Sequence, residues 1–291
     1  MPQVVATAGT AARFEAGQAC PCGSGRETRD CHLRPGGPPD GAAAILGGRG
    51  PDAPFDAEGG SCCILDAGAG DAIHAMRYVA SWRFSSYVIR RDMARLFAAS
   101  FPGVSYVTTY PLPRARGTVH TLELIGQNPS GALLAPYLKA PNPQTFPGEQ
   151  LRVGICARGD RTQAFDRWRS IHDLAALAPL WAVPGVEWHD LAAGPFGDWA
   201  DTANLVAGLD LVVSVDTGAA HLAGALGRPL LLLNRAPGPG DPGPDDRWEA
   251  GWLQPGPLYP GTRVIQQRQR GRWAEAIAQA AALVGQGRLA V

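Results

Sequence analysis

The sequence predicts an α/β protein with two parallel-sheet domains, and three observations carry the prediction. Residues 211–233 run as strand, tight turn, helix, strand. Residues 211–215 are a short apolar run rich in β-branched side chains, and Asp216, Thr217 and Gly218 interrupt it. Ala219, Leu222, Ala223 and Leu226 then recur at helical spacing up to Gly227 and Pro229, and a second apolar run fills 230–233. Strand, turn, helix, strand is half of a doubly wound domain, whose ligands bind beyond the carboxyl ends of its strands. The second observation is that the same alternation occurs over 61–108. The third is the Pro- and Gly-rich run 141–148, which reads as a linker between the two.

Length and composition set the outer limits. The chain has 291 residues, enough for two ordinary domains and a tail, and 45% of them are apolar, enough for sizeable cores. Net charge is zero, so no basic stripe argues for a nucleic-acid partner. Every basic residue except Lys139 is arginine, which fits a composition rich in Ala, Gly and Pro. No run of apolar residues is long enough for a transmembrane helix, and the first fifteen residues carry no basic region followed by an apolar core. The expected location is the cytoplasm, where the six cysteines would be thiols or metal ligands rather than disulfides.

Taken in chain order, residues 1–34 form an irregular tail. Cys20, Cys22, Cys31 and His32 place four soft ligands within thirteen residues. Zinc takes four such ligands in a tetrahedron, and a short Gly-rich knuckle lets both halves face one ion. The other reading is a cluster of reduced, unligated thiols. The core Cys20-Pro-Cys-Gly-Ser-Gly resembles the SEC-C zinc motif, which implies a structural Zn²⁺ and a protein partner docked at the knuckle. That pattern continues with Lys, an aromatic residue and Lys; Arg26, Thr28 and Arg29 stand near those places, so the aromatic is missing. Residues 35–58 are a Pro/Gly linker without periodicity.

The first α/β domain is expected over 59–140. Strands are predicted at 61–65, 87–89 and 104–108, with helices over 72–82 and 92–101. Between the first strand and helix lies a glycine loop, Asp66-Ala-Gly-Ala-Gly-Asp71. Gly68 and Gly70 let the backbone approach a ligand. Asp71 is either the N-cap of the following helix or a carboxylate able to take a proton. Residues 122–125 and 133–138 are apolar patches between Pro and Gly. Cys62, Cys63 and Cys156 fall in predicted strands and read as small core residues.

The second domain is expected over 150–291. Strands are predicted at 151–156 and 186–191, helices at 174–181 and 199–209, then the strand–turn–helix–strand unit and a closing helix at 273–284. Arg158 and Arg161 lie in the loop after the first of these strands, where the guanidinium fork suits phosphate. Asp216 or Thr217 would be a helix N-cap, and His221 a residue packed one turn in; the alternative is an anion site at the helix N-terminus.

The stretch Asp216-Thr-Gly-Ala-Ala-His-Leu-Ala-Gly-Ala-Leu-Gly-Arg-Pro229 resembles the signature of glycosyltransferase family 9, the heptosyltransferase-like enzymes. The loop Gly68-Ala-Gly-Asp71 looks like that family's Gly-Leu-Gly-Asp motif, and Arg169-Ser170-Ile171 matches its Arg-Ser-Ile. Asp245-Asp246-Arg247-Trp248 and Leu258-Tyr259-Pro260 resemble its Asp-x-Arg-Trp and Trp-Tyr-Pro segments, with Leu258 in place of Trp.

The resemblance covers about residues 60–285. It implies two Rossmann-like domains of the GT-B kind and transfer of a sugar from a nucleotide-sugar donor to an acceptor hydroxyl, with inversion. The acceptor would be a glycan, a lipid-linked sugar or a protein. It also implies that Asp71 is the base. Asp216, Thr217, Gly218 and His221, with Arg158 or Arg161, would hold the donor diphosphate, and no catalytic divalent metal is expected. The first domain is shorter than usual for the family. An alternative is therefore a catalytically weak nucleotide- or carbohydrate-binding module whose zinc knuckle docks a protein partner.

Overall fold

The computed structural model describes residues 45–46, 61–63, 68–79, 86–107, 119–121, 136–161, 166–192, 197–237 and 259–287. The chain divides into two units, Met1–Leu133 and Leu134–Val291.

The first unit carries a five-stranded parallel sheet of β1 (Ile45–Leu46), β2 (Ser61–Cys63), β3 (Ser86–Val88), β4 (Tyr106–Val107) and β5 (Val119–Thr121), in the order β1-β5-β2-β3-β4. Every pairing is parallel, with Cys62 beside Tyr87 on one flank and His120 on the other. Helix α1 (Ala69–Ala75) follows β2, and α2 (Ala94–Ser100) precedes β4. Ile73, Met76, Tyr87, Ile89, Met93, Leu96 and Phe97 are buried almost completely. The chain turns from β2 toward β3 and β4 on one side and returns to β5 on the other, so the carboxyl end of β2 is a topological switch point.

Three differences from the sequence reading appear here. Ile45–Leu46 lies within the stretch read as linker yet forms an edge strand on β5. Two apolar residues between Gly- and Pro-rich segments are too few to display a strand period. No strand was assigned around the apolar patches that follow residue 121, and Val119–Thr121 forms β5 just ahead of them. The helix expected over 72–82 starts three residues earlier, at Ala69, and tightens into a 3₁₀ turn over Met76–Tyr78.

The second unit carries β6 (Leu151–Cys156), β7 (Val186–Asp190), β8 (Leu211–Val215), β9 (Leu230–Asn234) and β10 (Thr262–Gln266), ordered β10-β9-β8-β6-β7 and parallel throughout. The helices are α3 (Asp166–Arg169), α4 (Ala178–Trp181), α5 (Trp199–Ala207), α6 (Gly218–Ala225) and α7 (Ala274–Gly285). Along β8, Leu211, Val213 and Val215 join a core with Val153, Ile155, Leu231, Leu233 and Ile265, which α7 covers through Ile277, Ala280 and Val284. The intervening Val212 and Ser214 are buried as well. Burial on both faces is why β8 and β9 read as unbroken apolar runs rather than as alternation.

Local signals set the helix ends. Asp198 caps α5, its carboxylate accepting from Ala200 N at 2.8 Å and Asp201 N at 3.0 Å. Helix α6 closes in a Schellman turn. Gly227 adopts φ +70°, its N–H bonds to Gly224 O at 3.0 Å, and Arg228 N bonds to Ala223 O at 2.9 Å. Strand β10 was not expected; its five residues carry two charged or amide side chains on the exposed positions and follow a Pro/Gly-rich loop. The run expected to be an interdomain linker lies along α5: Asn142 N donates to Asn204 Oδ1 at 2.7 Å, and Gln144 N to Asn204 O at 2.8 Å.

Among the described residues no helix is long and apolar enough to cross a membrane.

Candidate functional site

In the second sheet, β6 is followed in sequence by β7 on one side and β8 on the other, so the gap at the carboxyl ends of β6 and β8 is the switch point. Cys156 pairs with Ser214 across these strands. Arg158 and Asp216 each lie two residues beyond that pair, so the loop and the turn leave the sheet side by side. Three of the sequence-predicted donor residues, Asp216, Thr217 and His221, are buried here, and Gly218 opens α6 beside them.

Thr217 is the N-cap of α6 by position, with extended backbone, but its side chain makes no capping hydrogen bond. Its hydroxyl turns inward instead, 3.0 Å from Ser214 Oγ and 3.5 Å from Cys156 Sγ. Ser214 Oγ donates to Val215 O at 2.7 Å, and the Cys156 thiol donates to Arg158 O at 3.4 Å. The turn and the β6 loop are thus stitched together by three buried polar side chains. Burial pushes the Cys156 thiol up from its ordinary value, against the pull of its bonds from Thr217 and to Arg158, so it serves as a neutral donor.

Side chains on a helix tilt toward its N-terminus, which brings His221, one turn into α6, back over the turn. Its Nε2 stands 3.6 Å from Asp216 Oδ1, an electrostatic contact longer than a hydrogen bond. Its Nδ1 is 3.0 Å from the hydroxyl of Tyr259, which is buried. Sequence reasoning assigned Tyr259 no role, although the glycine at position 224, inside a helical pattern, is the kind of signal that marks a close approach.

The β6 loop has its own support. Asp166, almost fully buried, accepts from Gly159 N at 3.1 Å and from Ser170 Oγ at 2.5 Å, and Arg169 Nε lies 3.9 Å away. A β-carbon at Gly159 would lie 2.8 Å from Asp166 Oδ1, so glycine is required for this closeness. Arg158 is half-buried and Arg161 exposed. A small open cleft beside Arg158 is lined also by Asp190, Leu174 and Trp181.

In the first unit, Gly68 is the N-cap of α1, and Asp71 sits in its first turn rather than at the cap. Ala72 N donates to Gly68 O at 3.0 Å. A β-carbon on Gly68 would lie 3.2 Å from Asp71 Oδ2, so the carboxylate folds back over the start of the helix. Gly70 is the second residue of α1. All three stand at the carboxyl side of β2, the switch point of that sheet.

Cys20, Cys22, Cys31 and His32 lie outside the described residues, as do Asp245, Asp246, Arg247 and Trp248. Among the described residues no group of three or more His, Cys, Asp or Glu could hold a metal ion.

No curated protein matches the chain. Among solved structures, it is similar to the iron-containing dodecameric glycosyltransferase TibC of enterotoxigenic E. coli H10407, at 14% identity over 81% of this chain and 77% of that one, with a TM-score of 0.49. E. coli ADP-heptose LPS heptosyltransferase II matches at 14% identity over 79% and 98%, TM-score 0.46. The family 9 glycosyltransferase of Veillonella parvula DSM 2008 matches at 11% over 81% and 96%, TM-score 0.43. Residues 198–244, which hold α5, β8, the Asp216–Gly218 turn, α6 and β9, match the family model of glycosyltransferase family 9 (heptosyltransferase).

Proposed function

We propose that the chain is a glycosyltransferase that moves a sugar from a nucleotide-sugar donor to an acceptor hydroxyl. One observation carries the reading: inside the matched segment, a buried carboxylate and a buried imidazole stand at the N-terminus of α6, at the switch point of the second sheet. The N-terminus of a helix favours anions through its free N–H groups and dipole, and the leaving group of sugar transfer is a nucleoside diphosphate.

In this reading the turn Asp216–Thr217–Gly218, His221 and Arg158 hold the diphosphate, and Arg161 reaches it from the exposed end of the β6 loop. The acceptor oxygen attacks the anomeric carbon as the bond from that carbon to the diphosphate oxygen breaks. Asp71 takes the proton from the attacking hydroxyl, and the nucleoside diphosphate leaves. Attack opposite the leaving group inverts the anomeric centre. Positive charge and N–H groups of the chain do the work that a divalent metal does elsewhere. The N-terminal Cys20, Cys22, Cys31 and His32 hold one structural zinc and dock a protein partner.

The test uses the full chain with a panel of ADP-, GDP- and UDP-sugars and the matching diphosphates. A ligand at about 100 times its dissociation constant adds roughly 2.7 kcal/mol of stability, an easily read rise in melting temperature. One diphosphate is expected to give that rise, and its sugar conjugate to be turned over. A flat response to all of them overturns the reading. Stabilisation by the diphosphate with no turnover of any sugar conjugate favours the binding module.

A further inference from the structure

We infer that Tyr259 is a positioning residue for the donor site, which holds the orientation of His221 and, together with Asp216, its tautomer. The inference rests on the proposed role of His221 in holding a diphosphate.

The geometry is a line of three buried side chains along α6. Tyr137 Oη lies 3.4 Å from Tyr259 Oη, and Tyr259 Oη lies 3.0 Å from His221 Nδ1. The two tyrosine rings stack with centroids 6.5 Å apart, and the imidazole meets the Tyr259 ring edge-on at 5.8 Å. Both tyrosines are anchored by backbone. Tyr137 N and Leu138 N donate to Ala225 O at 3.0 and 3.1 Å, and the turn after Tyr259 closes with Thr262 N donating to its carbonyl at 3.2 Å.

Gly224 is what admits the ring. It lies three residues, one face and about 4.5 Å along the axis from His221. A β-carbon at Gly224 would fall into the Tyr259 ring. With only hydrogen there, the ring lies flat on the helix and its hydroxyl reaches one turn up to Nδ1.

The neutral imidazole has one N–H and one acceptor nitrogen, and its partners choose between them. Asp216, facing Nε2, is an acceptor when ionised and favours the proton on Nε2. Nδ1 is then the acceptor, and Tyr259 O–H donates to it. Tyr137 O–H in turn completes the line by donating to Tyr259 Oη. The chain of donors runs one way along α6, from Tyr137 through Tyr259 to His221, whose Nε2–H faces Asp216 at the turn.

The test is ¹⁵N NMR of histidine-labelled full chain at about pH 8.5, above the ordinary histidine range. The His221 resonances are assigned by their loss in His221→Gln. Wild type is expected to show the Nε2–H tautomer with a hydrogen-bonded Nδ1. Tyr259→Phe keeps the ring and removes the hydroxyl; it is expected to shift the Nδ1 resonance and populate both tautomers. Gly224→Ala keeps the hydroxyl but lifts the ring, and is expected to give the same spectrum. ADP affinity, or that of whichever diphosphate stabilises wild type, should fall about tenfold in Tyr259→Phe, the worth of one hydrogen bond. An unchanged Nδ1 resonance in Tyr259→Phe overturns the inference, and so does a shifted resonance with unchanged affinity. If wild type binds no diphosphate, the functional reading fails, while the nitrogen spectrum still decides whether Tyr259 sets the tautomer.

Discussion

Nε2 of His221 faces Asp216 Oδ1 at 3.6 Å, with the side chains only 5% and 9% exposed. Both groups stand at the turn that is proposed to hold the donor. Asp216→Ala and His221→Ala each remove one of the two groups from the turn, and the loss of a hydrogen bond from such a group to a ligand is worth about 1–3 kcal/mol. Binding of the stabilising diphosphate should weaken by about 5- to 150-fold in each. Isothermal titration of the two variants, beside Asp216→Asn, measures it. Wild-type affinity in both alanine variants would reduce the turn to a structural feature.

The same switch point makes a chemical prediction about Cys156. Its thiol is held protonated by burial, so alkylation of the folded chain there at pH 8 should be slow and should follow unfolding. The linkage has a definite sign. A thiol whose folded pKa lies above its unfolded value binds more protons when folded, so stability falls as pH rises through the unfolded value near 9. Cys156→Ser should weaken this alkaline loss. Melting curves from pH 7 to about 10 decide it: an identical alkaline slope in the serine variant removes Cys156 from the effect.

Zinc is predicted at the N-terminal cysteines, from ligand type and spacing. A segment this short would have little core of its own, so metal binding would supply its folding energy. Metal analysis of the purified chain should give one zinc per molecule, and Cys22→Ser should lose it. Equal zinc content in both proteins would count decisively against the assignment.

The residues legible in the sequence were those whose burial or backbone needs show locally. Residues 211–215 and 230–233 are buried on both faces, so their runs are unbroken, and the strands fall where the pattern puts them. Gly227 with Pro229 marks the end of α6 because only a residue tolerant of positive φ closes that turn. Less legible were β1 and β10, which owe their existence to pairing with β5 and β9 rather than to any period of their own. The partners of the site were not legible either. Tyr137 and Tyr259 are 122 residues apart and meet only because both are held against α6. Thr217 looked like a capping residue, and its hydroxyl is drawn inward because Ser214 and Cys156 on neighbouring strands offer buried partners.

Asp71 separates two roles that the sequence left open. It is not the N-cap of α1; Gly68 is, and Asp71 stands in the first turn with its carboxylate folded back toward that cap. A purely structural Asp71 acts through its charge on the helix N-terminus, worth about 0.3–1 kcal/mol, so Asp71→Asn would lower the melting temperature slightly and leave turnover alone. A base acts through its ability to accept a proton. Asn keeps the size and shape and removes that ability, so turnover should fall by about 10²–10⁴-fold. Donor affinity should hardly change, because the proposed donor residues all belong to the other unit. Turnover, donor binding and melting temperature measured on the same preparation distinguish the roles. Loss of turnover with donor affinity and melting temperature near wild type is the expected result. Near wild-type turnover in Asp71→Asn would assign the carboxylate to the helix and leave the acceptor proton to another group.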